Sequence, residues 1–410
     1  MSAFNKSRIL YVNHTGLVSG GEKVLLEILR GLDRDRFEPI VTCPAQGELA
    51  DQVARLKVDW FPMPAVRARF SWRPDHAVLA CSAVFKTAAA LRRQIAIASP
   101  ALIHANSVRA GIIATLAATG IGTPVIWHVH DTLPNHPISS AIRALAFLAR
   151  NTRIIAVSQS TARRFQDRFP MSAKVRTIHN GIDLSRFPVK QTIDSQFRQG
   201  LGISPNDFLV CAIGQICARK GLLELIEALA RIAHRAPQIH LAIVGKVVFP
   251  HEAAYLRSLH AAAVNLRLTG RVHFTGELSD VSPVLRAANL LVLNSHDEPF
   301  GLVLIEAMAS GTPVLATRVG GIPEIVTDAE DGWLVEKADT SALASKLIEL
   351  SEGEDQLAQV ARRALRTALL RFSAERFQKE LEQFYTTLES RANRNGSAHK
   401  HPALLSSTGN

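Results

Sequence analysis

The sequence predicts an α/β protein built from two doubly wound domains that face each other across a cleft. Its 410 residues suffice for two or three domains and exceed the needs of one small binding module. Short apolar runs alternate with helical patterns along nearly the whole chain, which indicates parallel sheets covered by helices on both faces. A segment with several prolines and glycines, residues 186–206, separates two such series. Ligand crevices are therefore expected at the carboxyl ends of the strands.

The first half contains apolar runs of strand length with helical patterns between them. The alternation fails around residues 60–100, where residues 62–74 form a predicted loop with three prolines. The predicted strands cover residues 8–13, 39–43, 101–105, 124–128, 153–157 and 174–178. The predicted helices cover residues 22–32, 108–119 and 160–169.

The second half repeats the scheme. The predicted strands cover residues 208–213, 240–244, 272–274, 290–293 and 313–316, and the predicted helices cover residues 221–234, 252–262, 302–310 and 341–350. The resulting organisation is a first domain (1–185), a linker (186–206), a second domain (207–372), a C-terminal helix (373–390) and a tail (391–410). The tail has no periodicity and is expected to be disordered.

The excess of positive charge lies in the first half of the chain. Residues 1–190 hold 25 Lys and Arg against 12 Asp and Glu, a net charge of +13, within a whole-chain formal charge of +11. A basic half suggests an anionic partner, and an ordinary solvated surface is the alternative. The loop at residues 62–74 is basic and carries Phe70 and Trp72. It fits an anionic or amphipathic acceptor, or a membrane surface, as well as it fits an ordinary loop.

Three absences in the sequence bear on the compartment. The four cysteines show no C-x-x-C spacing, which disfavours a disulfide scaffold and the common zinc modules and fits a reducing cytoplasm. The longest uncharged run is broken by Gly120, Gly122 and Pro124, so no transmembrane span is expected. The first residues enter a strand without the apolar core of a signal peptide.

The strongest chemical signal is the segment S-H-D-E-P-F-G-L-V-L-I-E, which ends at Glu306. Glu298 follows a predicted strand, and Gly301 lies where the next helix begins. The unpaired amides of that first turn suit a pyrophosphate. Glu306 lies further along the same helix, where its carboxylate can accept two hydrogen bonds from a ribose diol. Glu298 can reach the group attached beyond the phosphates.

A second signal, G-Q-I-C-A-R-K-G, follows the first strand of the second domain. Arg219 and Lys220 are cationic donors that can neutralise a diphosphate leaving group. A third, weaker signal is Gly20–Gly21 after the first strand of the chain, where glycine permits close approach to a ligand. The pattern G-x-G-x-x-G is absent, which disfavours NAD binding.

No convincing metal site is found in the sequence. His128 and His130 end a predicted strand and are expected to point to opposite faces, which disfavours a shared metal ion. One of them is expected to face the cleft. Asp33 and Asp35 are interpreted as turn residues. A metal-independent reaction is therefore expected.

The later run Gly320-Gly321-Ile-Pro-Glu either packs closely against its surroundings or lines the cleft, and both interpretations stay open.

Taken together, these motifs resemble the retaining glycosyltransferases of the GT-B type, family 4, also called glycosyl transferases group 1. The resemblance covers about residues 8–385. It rests on SGGEKVLLEIL, PVIWHVHD, RIIAVSQSTARRF and KVRTIHNGIDLSRF in the first half, and most specifically on NSHDEPFGLVLIEAMASGTPVLATRVGGIPEIV in the second. It implies two Rossmann-like domains, a donor nucleotide held mainly by the second, and a C-terminal helix that packs back toward the first.

The resemblance also implies roles for individual residues. Glu298 and His130 are the implied catalytic residues, Glu298 contacting the donor sugar and His130 lying beside that sugar and the incoming acceptor hydroxyl. The implied donor-binding residues are Gly20, Gly21, Arg219, Lys220, Phe300, Gly301, Leu302, Val303 and Glu306. No metal or cofactor is implied beyond the nucleotide sugar. Gln215 stands where the family often has Arg, so one contact to phosphate is lost or is replaced by Arg219.

The function expected on this basis is transfer of a sugar from a UDP- or GDP-sugar to an acceptor hydroxyl, with retention of configuration. The expected acceptor is a carbohydrate or a lipid-linked molecule in polysaccharide, lipopolysaccharide or glycolipid biosynthesis. The expected location is the cytoplasm, with peripheral contact to the anionic inner membrane face. The alternatives are a nucleotide-sugar epimerase of the same architecture and a non-catalytic binding protein. Nucleic acid is not an expected partner, because the chain has 6% aromatic residues and no recognisable nucleic-acid motif.

Overall fold

The structure, a computed structural model, describes residues 6–66, 74–167, 169–190 and 194–398. The chain divides into two compact units. The first unit consists of Met1–Val157, Thr161–Ile178 and Phe377–Asn410, and the second consists of Ser158–Ser160 and His179–Arg376. None of the described helices is long and apolar enough to cross a membrane.

The first unit alternates strands and helices. In chain order its elements are β1 (Ser7–Val12), α1 (Gly20–Gly31), β2 (Phe37–Cys43), α2 (Glu48–Arg55), β3 (Asp59–Pro62), α3 (Pro74–Ala98), β4 (Leu102–Ala105), α4 (Val108–Ala117), β5 (Val125–Val129), α5 (Pro137–Leu148), β6 (Thr152–Ala156), α6 (Gln159–Gln166) and β7 (Val175–Thr177). The strands form one sheet in the order β3-β2-β1-β4-β5-β6-β7, and every pairing is parallel.

The core of the first unit lies between this sheet and its helices. Trp127 on β5 is fully buried, and its Nε1–H donates to Thr115 Oγ1 on α4 at 2.9 Å. The strands β4 and β5 are buried along their whole length and β1 from Ile9 onward, as apolar runs in a sheet covered on both faces should be. This packing fixes the carboxyl ends of β1, β4 and β5 beside one another.

The second unit repeats the architecture. Its elements are α7 (Ser195–Gly200), β8 (Phe208–Ile213), α8 (Leu222–Arg231), β9 (Ile239–Val244), α9 (Ala253–Asn265), β10 (Val272–Gly276), α10 (Ser282–Ala287), β11 (Leu290–Leu293), α11 (Leu302–Ala309), β12 (Val314–Thr317), β13 (Trp333–Val335), α12 (Thr340–Glu352) and α13 (Glu354–Arg371). The strand order is β10-β9-β8-β11-β12-β13, again all parallel. This is the Rossmann order, and it reverses between β8 and β11.

The predicted strands are all present, with ends shifted by up to two residues. The sequence missed β3 and β13. β3 is a four-residue strand with no buried residue, so it lacks the apolar signal, and β13 has only three residues. The region around residues 60–100 holds the long helix α3. Residues 67–73 of the predicted loop, including Phe70 and Trp72, lie outside the described residues.

The segment predicted as a linker is part of the second unit. Arg198 on α7 is buried and donates to the carbonyls of Ala287 at 2.9 Å and Asp207 at 2.7 Å. Lys190 Nζ donates to the Ala288 carbonyl at 2.9 Å. The linker prediction was therefore wrong, because these cationic side chains and the buried Phe187 and Ile203 hold the irregular segment on the second unit.

The last helix, α14 (Ala374–Ala398), is longer than predicted. Residues 391–398, predicted as disordered tail, are helical, and residues 399–410 lie outside the described residues. The end of the apolar periodicity therefore did not mark the end of the helix. Phe377, Leu381, Tyr385 and Leu388 are buried at helical spacing, and this part of α14 belongs to the first unit.

Candidate functional site

The residues with the strongest chemical signal meet at one point of the second sheet. β8 and β11 are hydrogen-bonded neighbours, and the strand order reverses between them. Ligands of doubly wound sheets bind at the carboxyl ends of the strands at such a point. The loop after β8 carries Arg219 and Lys220, and the loop after β11 carries Glu298. A small pocket between these loops is lined by residues that include Gly214 and Asn294.

The two loops are held together by their backbones. Gly221 has a left-handed backbone, with φ of +59°, and a Cβ there would lie 2.1 Å from the Asn294 carbonyl oxygen. Asn294 Nδ2 donates to the Gly221 carbonyl at 2.8 Å, and the His296 amide donates to the Arg219 carbonyl at 2.8 Å. The position of Arg219 and Lys220 therefore depends on glycine at the turn between the short helix that carries them and α8.

Glu298 and Lys220 form a buried ion pair. Lys220 Nζ donates to Glu298 Oε2 at 2.5 Å, and the two side chains are 14% and 10% exposed. Ser295 Oγ donates to the same oxygen at 3.2 Å. Arg219 lies 3.9 Å from this oxygen and donates to the Asp297 carbonyl at 2.8 Å. Burial alone would raise the pKa of Glu298, but Lys220 and Arg219 outweigh it, so the pKa lies below its ordinary value.

The backbone of Glu298 is fixed by the two glycines after β12. The Gly321 amide donates to the Glu298 carbonyl at 2.9 Å, and a Cβ on Gly320 would lie 2.0 Å from that oxygen. Of the two interpretations of this run, close backbone packing is the one observed. The packing also holds Glu298 in place, so a structural role for Gly320 and Gly321 serves the candidate site.

The helix α11 presents one mixed face beside this ion pair. Gly301, with φ of +113°, precedes its first turn. Leu302, Val303 and Glu306 are half-buried, whereas most other residues of this apolar helix are buried. Residues three and four apart share a helix face, so Glu306 lies on the same side as Leu302 and Val303 of the first turn, whose amides have no acceptor within the helix. This arrangement can bind an anion at the helix end and a diol one turn further on.

Two residues near this helix have structural partners. The Phe300 ring is buried, stacks on His179 with ring centroids 5.6 Å apart, and contacts Phe372 edge-on at 6.0 Å. Its side chain therefore positions the turn before Gly301. Gln215 Nε2 donates to Glu252 Oε2 at 2.7 Å, so the residue that stands in place of the family's usual Arg is engaged with a neighbouring loop.

The first unit gathers a second polar group, at the carboxyl ends of β1, β4 and β5. Gly20 and Gly21 open α1, and a Cβ on Gly21 would lie 3.2 Å from His130 Cδ2, whereas one on Gly20 would meet nothing within 4 Å. His130 is half-buried, and burial lowers its pKa to about 3. Its Nε2 lies 3.0 Å from Asn106 Oδ1. The ring is therefore neutral at physiological pH and packs against the glycine turn.

The expectation that His128 and His130 point to opposite faces is wrong. Side chains two residues apart on an extended chain lie on the same face, and the two rings are 4.1 Å apart between centroids. His128 is fully buried against His104, with His128 Nδ1 and His104 Nε2 3.2 Å apart. Among the described residues, no three His, Cys, Asp or Glu side chains converge as metal ligands.

Asp33 and Asp35 lie in a turn, as expected. The Asp35 amide donates to Asp33 Oδ1 at 3.0 Å, a hydrogen bond typical of such turns.

Sequence reasoning missed the residues that hold the candidate groups in place. Ser295 and Asn294 follow β11 directly, so their position after a strand was the available signal. Asn13, Glu22 and Asn106 are buried polar residues of the first unit. Glu22 stands three residues after Ser19 in a capping box, which was the available signal for it. The contact between Asn13 and Asn106 joins residues that are far apart in sequence, and no local pattern indicates it.

Two family models match most of the chain. The model described as Glycosyltransferase Family 4 matches residues 18–186, and the model described as Glycosyl transferases group 1 matches residues 194–367. Among solved structures, Anabaena HepE in complex with UDP-glucose is 26% identical, with a TM-score of 0.80, over 93% of this chain and 99% of that one. The family models and the structural likeness thus agree over residues 18–186 and 194–367.

Two curated proteins are also similar. N-acetyl-alpha-D-glucosaminyl L-malate synthase of Bacillus anthracis is 28% identical over 232 residues, which cover 57% of this chain and 58% of that one. D-inositol 3-phosphate glycosyltransferase of Streptomyces avermitilis is 31% identical over 288 residues, covering 65% and 61%. The matches span 58% and 61% of the length of these relatives. The two family models and the shared fold show that the chain belongs to glycosyltransferase family 4, the group 1 glycosyl transferases, and has the GT-B fold class of two Rossmann-like, parallel-sheet domains.

Proposed function

We propose that this protein transfers a sugar from a nucleotide-sugar donor to the hydroxyl of an acceptor. The observation that carries the proposal is the buried pair of Lys220 and Glu298, with Arg219 beside it, at the strand ends where β8 and β11 meet. Negative charge develops on the departing diphosphate during such a transfer. Fixed cationic donors and helix amides stabilise that charge without reorganising. Lys220, Arg219 and the first turn of α11 are suited to this task.

The proposed donor is a UDP-sugar. HepE, which shares about a quarter of its sequence with this chain and nearly its full length, is described in complex with UDP-glucose. In the proposed complex Glu306 accepts hydrogen bonds from the ribose diol, and Glu298 contacts the sugar. Glu298 is suited to a contact with sugar hydroxyls because its lowered pKa keeps it ionised at neutral pH.

Retention of configuration and independence from metal ions are further parts of the proposal. Both rest on the resemblance to family 4, and the cationic pair Arg219 and Lys220 offers the charge neutralisation that a metal would otherwise supply. The anomeric configuration of the product, read by NMR, tests the first part. Undiminished turnover in EDTA tests the second.

The proposed acceptor carries negative charge. The net charge of +13 in residues 1–190 supports this, because it favours association with anions. The names of two relatives specify L-malate and inositol 3-phosphate, which are both anionic. An anionic membrane surface with a lipid-linked acceptor fits the same charge. Binding to anionic vesicles no tighter than to neutral ones at low salt would remove the membrane from the proposal.

One incubation separates this function from its alternatives. UDP-glucose is mixed with the protein in EDTA, with and without malate or inositol phosphate, and the nucleotide and sugar products are identified. Acceptor-dependent release of UDP supports transfer. An epimerised nucleotide sugar formed without acceptor would favour an epimerase. The incubation is repeated with GDP- and ADP-sugars. If a nucleotide sugar bound but none of the three kinds gave a product, a non-catalytic binding protein would be favoured.

Lys220→Met and Lys346→Met provide a matched comparison for that assay. Lys346 lies on α12 and pairs with Glu349 in an exposed ion pair at 2.7 Å. Loss of turnover in Lys220→Met, with turnover kept in Lys346→Met, assigns the reaction to the site between β8 and β11. Equal turnover in both variants would contradict that assignment.

A further inference from the structure

A chain of hydrogen bonds in the first unit links His130 to a buried carboxylate. His130 Nε2 lies 3.0 Å from Asn106 Oδ1. Asn106 Nδ2 lies 3.0 Å from Asn13 Oδ1, and Asn13 Nδ2 lies 3.2 Å from Glu22 Oε1. Asn13, Asn106 and Glu22 are almost fully buried. Because buried polar groups are costly unless paired, each member of this chain constrains the next.

The orientation of the Asn106 amide follows from its second contact. Asn106 Nδ2 also lies 3.0 Å from the Gly21 carbonyl oxygen, which can only accept a hydrogen bond. The atom facing Gly21 must therefore be the amino group. The amide oxygen then faces His130, and His130 Nε2 must donate the proton between them.

The same reasoning fixes the next amide. Asn13 Nδ2 donates to the Thr15 carbonyl at 2.7 Å, so Asn13 Oδ1 is the atom that accepts from Asn106. At the end of this series of hydrogen bonds, Glu22 Oε1 accepts from Asn13, and Glu22 Oε2 accepts from the Ser19 amide at 3.1 Å. All donors thus point toward Glu22, and reversing one amide would place two acceptors face to face.

The consequence is a single form of the His130 ring. A neutral imidazole carries one N–H, and here it is at Nε2, so Nδ1 has a free lone pair. The Cδ2 edge of the ring faces Gly21, and Nδ1 lies on the opposite edge. Within the part of the chain that the structure describes, Nδ1 has no hydrogen-bond partner.

We propose that Asn106 is a positioning residue for His130: its amide oxygen holds the ring as the Nε2–H tautomer, so that Nδ1 accepts a hydrogen bond from a hydroxyl of the substrate. The substrate contact rests on the proposed function. The tautomer does not, because it follows from contacts within the first unit alone. The two parts are therefore tested by separate measurements.

The first measurement is a long-range proton–nitrogen NMR spectrum of the full chain labelled with ¹⁵N-histidine near neutral pH. His130→Gln identifies the His130 signals by their loss. The expected wild-type pattern is a protonated Nε2 and an unprotonated Nδ1. Asn106→Asp should keep it, because its buried carboxyl faces the Gly21 carbonyl oxygen and is expected to be protonated: the hydroxyl then donates to that oxygen, and the other oxygen accepts from Nε2–H. Asn106→Ala should lose the pattern and give a mixture of the two tautomers.

The control is Asn151→Ala, which removes another structural amide of the same unit. Asn151 Nδ2 donates to the Thr123 carbonyl at 2.8 Å, and Asn151 is not part of the hydrogen-bond series from His130 to Glu22. This variant should leave the His130 signals unchanged. A protonated Nδ1 in the wild type, or a folded Asn106→Ala protein with the wild-type pattern, would overturn the positioning role. Should Asn106→Ala not fold, the wild type and Asn106→Asp still decide the question.

The substrate contact is tested by adding UDP-glucose to the wild type, first alone and then with inositol phosphate. A shift of the Nδ1 resonance larger than that of Nε2 supports the contact. Saturation of the protein with no Nδ1 shift in either mixture would overturn the contact and leave the tautomer intact. A protein that shows the tautomer but no transfer activity would contradict the proposed function alone.

Discussion

At the scale of single residues, Lys220 and Glu298 differ from the other lysine–glutamate pairs of the second unit by their burial. Lys246 and Glu277 are also 2.5 Å apart, but their side chains are 46% and 53% exposed. Water screens an exposed pair, which typically contributes about 0–1 kcal/mol. Removing one partner of a buried pair leaves an uncompensated charge, which typically costs about 3–5 kcal/mol.

Lys220→Met is therefore expected to lower the free energy of unfolding of the second unit by roughly 3 kcal/mol, near the lower end of that range because Arg219 remains nearby. Lys246→Met should change it by less than about 1 kcal/mol. Urea denaturation followed by circular dichroism measures both. If the two substitutions lowered the free energy of unfolding equally, the charge of Glu298 would not need Lys220 to compensate it.

The stability difference between Lys220→Met and the wild type should also depend on pH. The pKa of Glu298 is lowered from the ordinary 4.5, so its ionised form stabilises the fold above that pH, and this contribution is lost as the pH falls through the lowered value. The difference between the two proteins should thus be largest near neutral pH and shrink in acid. A difference that grew in acid would mean that the lysine acts on another group.

The Gly21 contact leads to a separate prediction. A Cβ on Gly21 would press on the His130 ring at 3.2 Å, whereas Gly20 has open space. Gly21→Ala should therefore shift the His130 NMR signals, and Gly20→Ala should leave them near their wild-type positions. If both variants gave the same His130 spectrum, the ring would not pack against the glycine turn.

At the scale of elements, the turn after β12 supports the loop that carries Glu298. Gly320 and Gly270 both have left-handed backbones, with φ of +54° and +88°, but only Gly320 would place a Cβ against the Glu298 carbonyl. Alanine at either position adds backbone strain of about 1 kcal/mol or more. Gly320→Ala should in addition weaken nucleotide binding, which calorimetry measures. Weakening of the same size in Gly270→Ala would assign the effect to strain alone.

The elements also show how far local patterns reach. β8 and β11 were predicted with their observed ends, because each is a short apolar run followed by polar residues. α3 was missed because its apolar residues have no clear helical period. Glu298, Lys220 and Glu306 could be proposed as site residues because strand ends and helix starts are visible in sequence, and their roles stay predictions. Asn106 and Asn13 were not, since their roles arise from contacts between β1, β4 and β5.

At the scale of the whole molecule, the two ends of the chain share one unit. Tyr385 on α14 is fully buried in the first unit, where its hydroxyl lies 2.7 Å from His104 Nδ1 and 3.4 Å from the Tyr11 hydroxyl. Burial raises the pKa values of Tyr11 and Tyr385 above the ordinary value, so both hydroxyls keep their protons. The first unit is therefore complete only when the second unit and α14 have been made.

A chain that ends after Phe372 should consequently lose the stability of its first unit, because the apolar face of α14 would no longer cover its core. Loss of a buried aromatic side chain such as Tyr385 alone typically costs about 3–5 kcal/mol. A chain that ends at Ala398 keeps all of α14 and serves as the control. Thermal melts of both chains measure the difference, and equal melting temperatures would show that the first unit folds without α14.

The central claim is that the strand ends of β8 and β11 bind the diphosphate of a nucleotide sugar. It is tested most directly by calorimetric titration of UDP, in EDTA, into wild type, Lys220→Met and Lys346→Met. The account predicts binding to the wild type and to Lys346→Met with equal affinity. Loss of one charge-assisted hydrogen bond should weaken binding to Lys220→Met about ten- to hundredfold. Equal affinity in all three proteins, or no binding of UDP to the wild type, would contradict the claim.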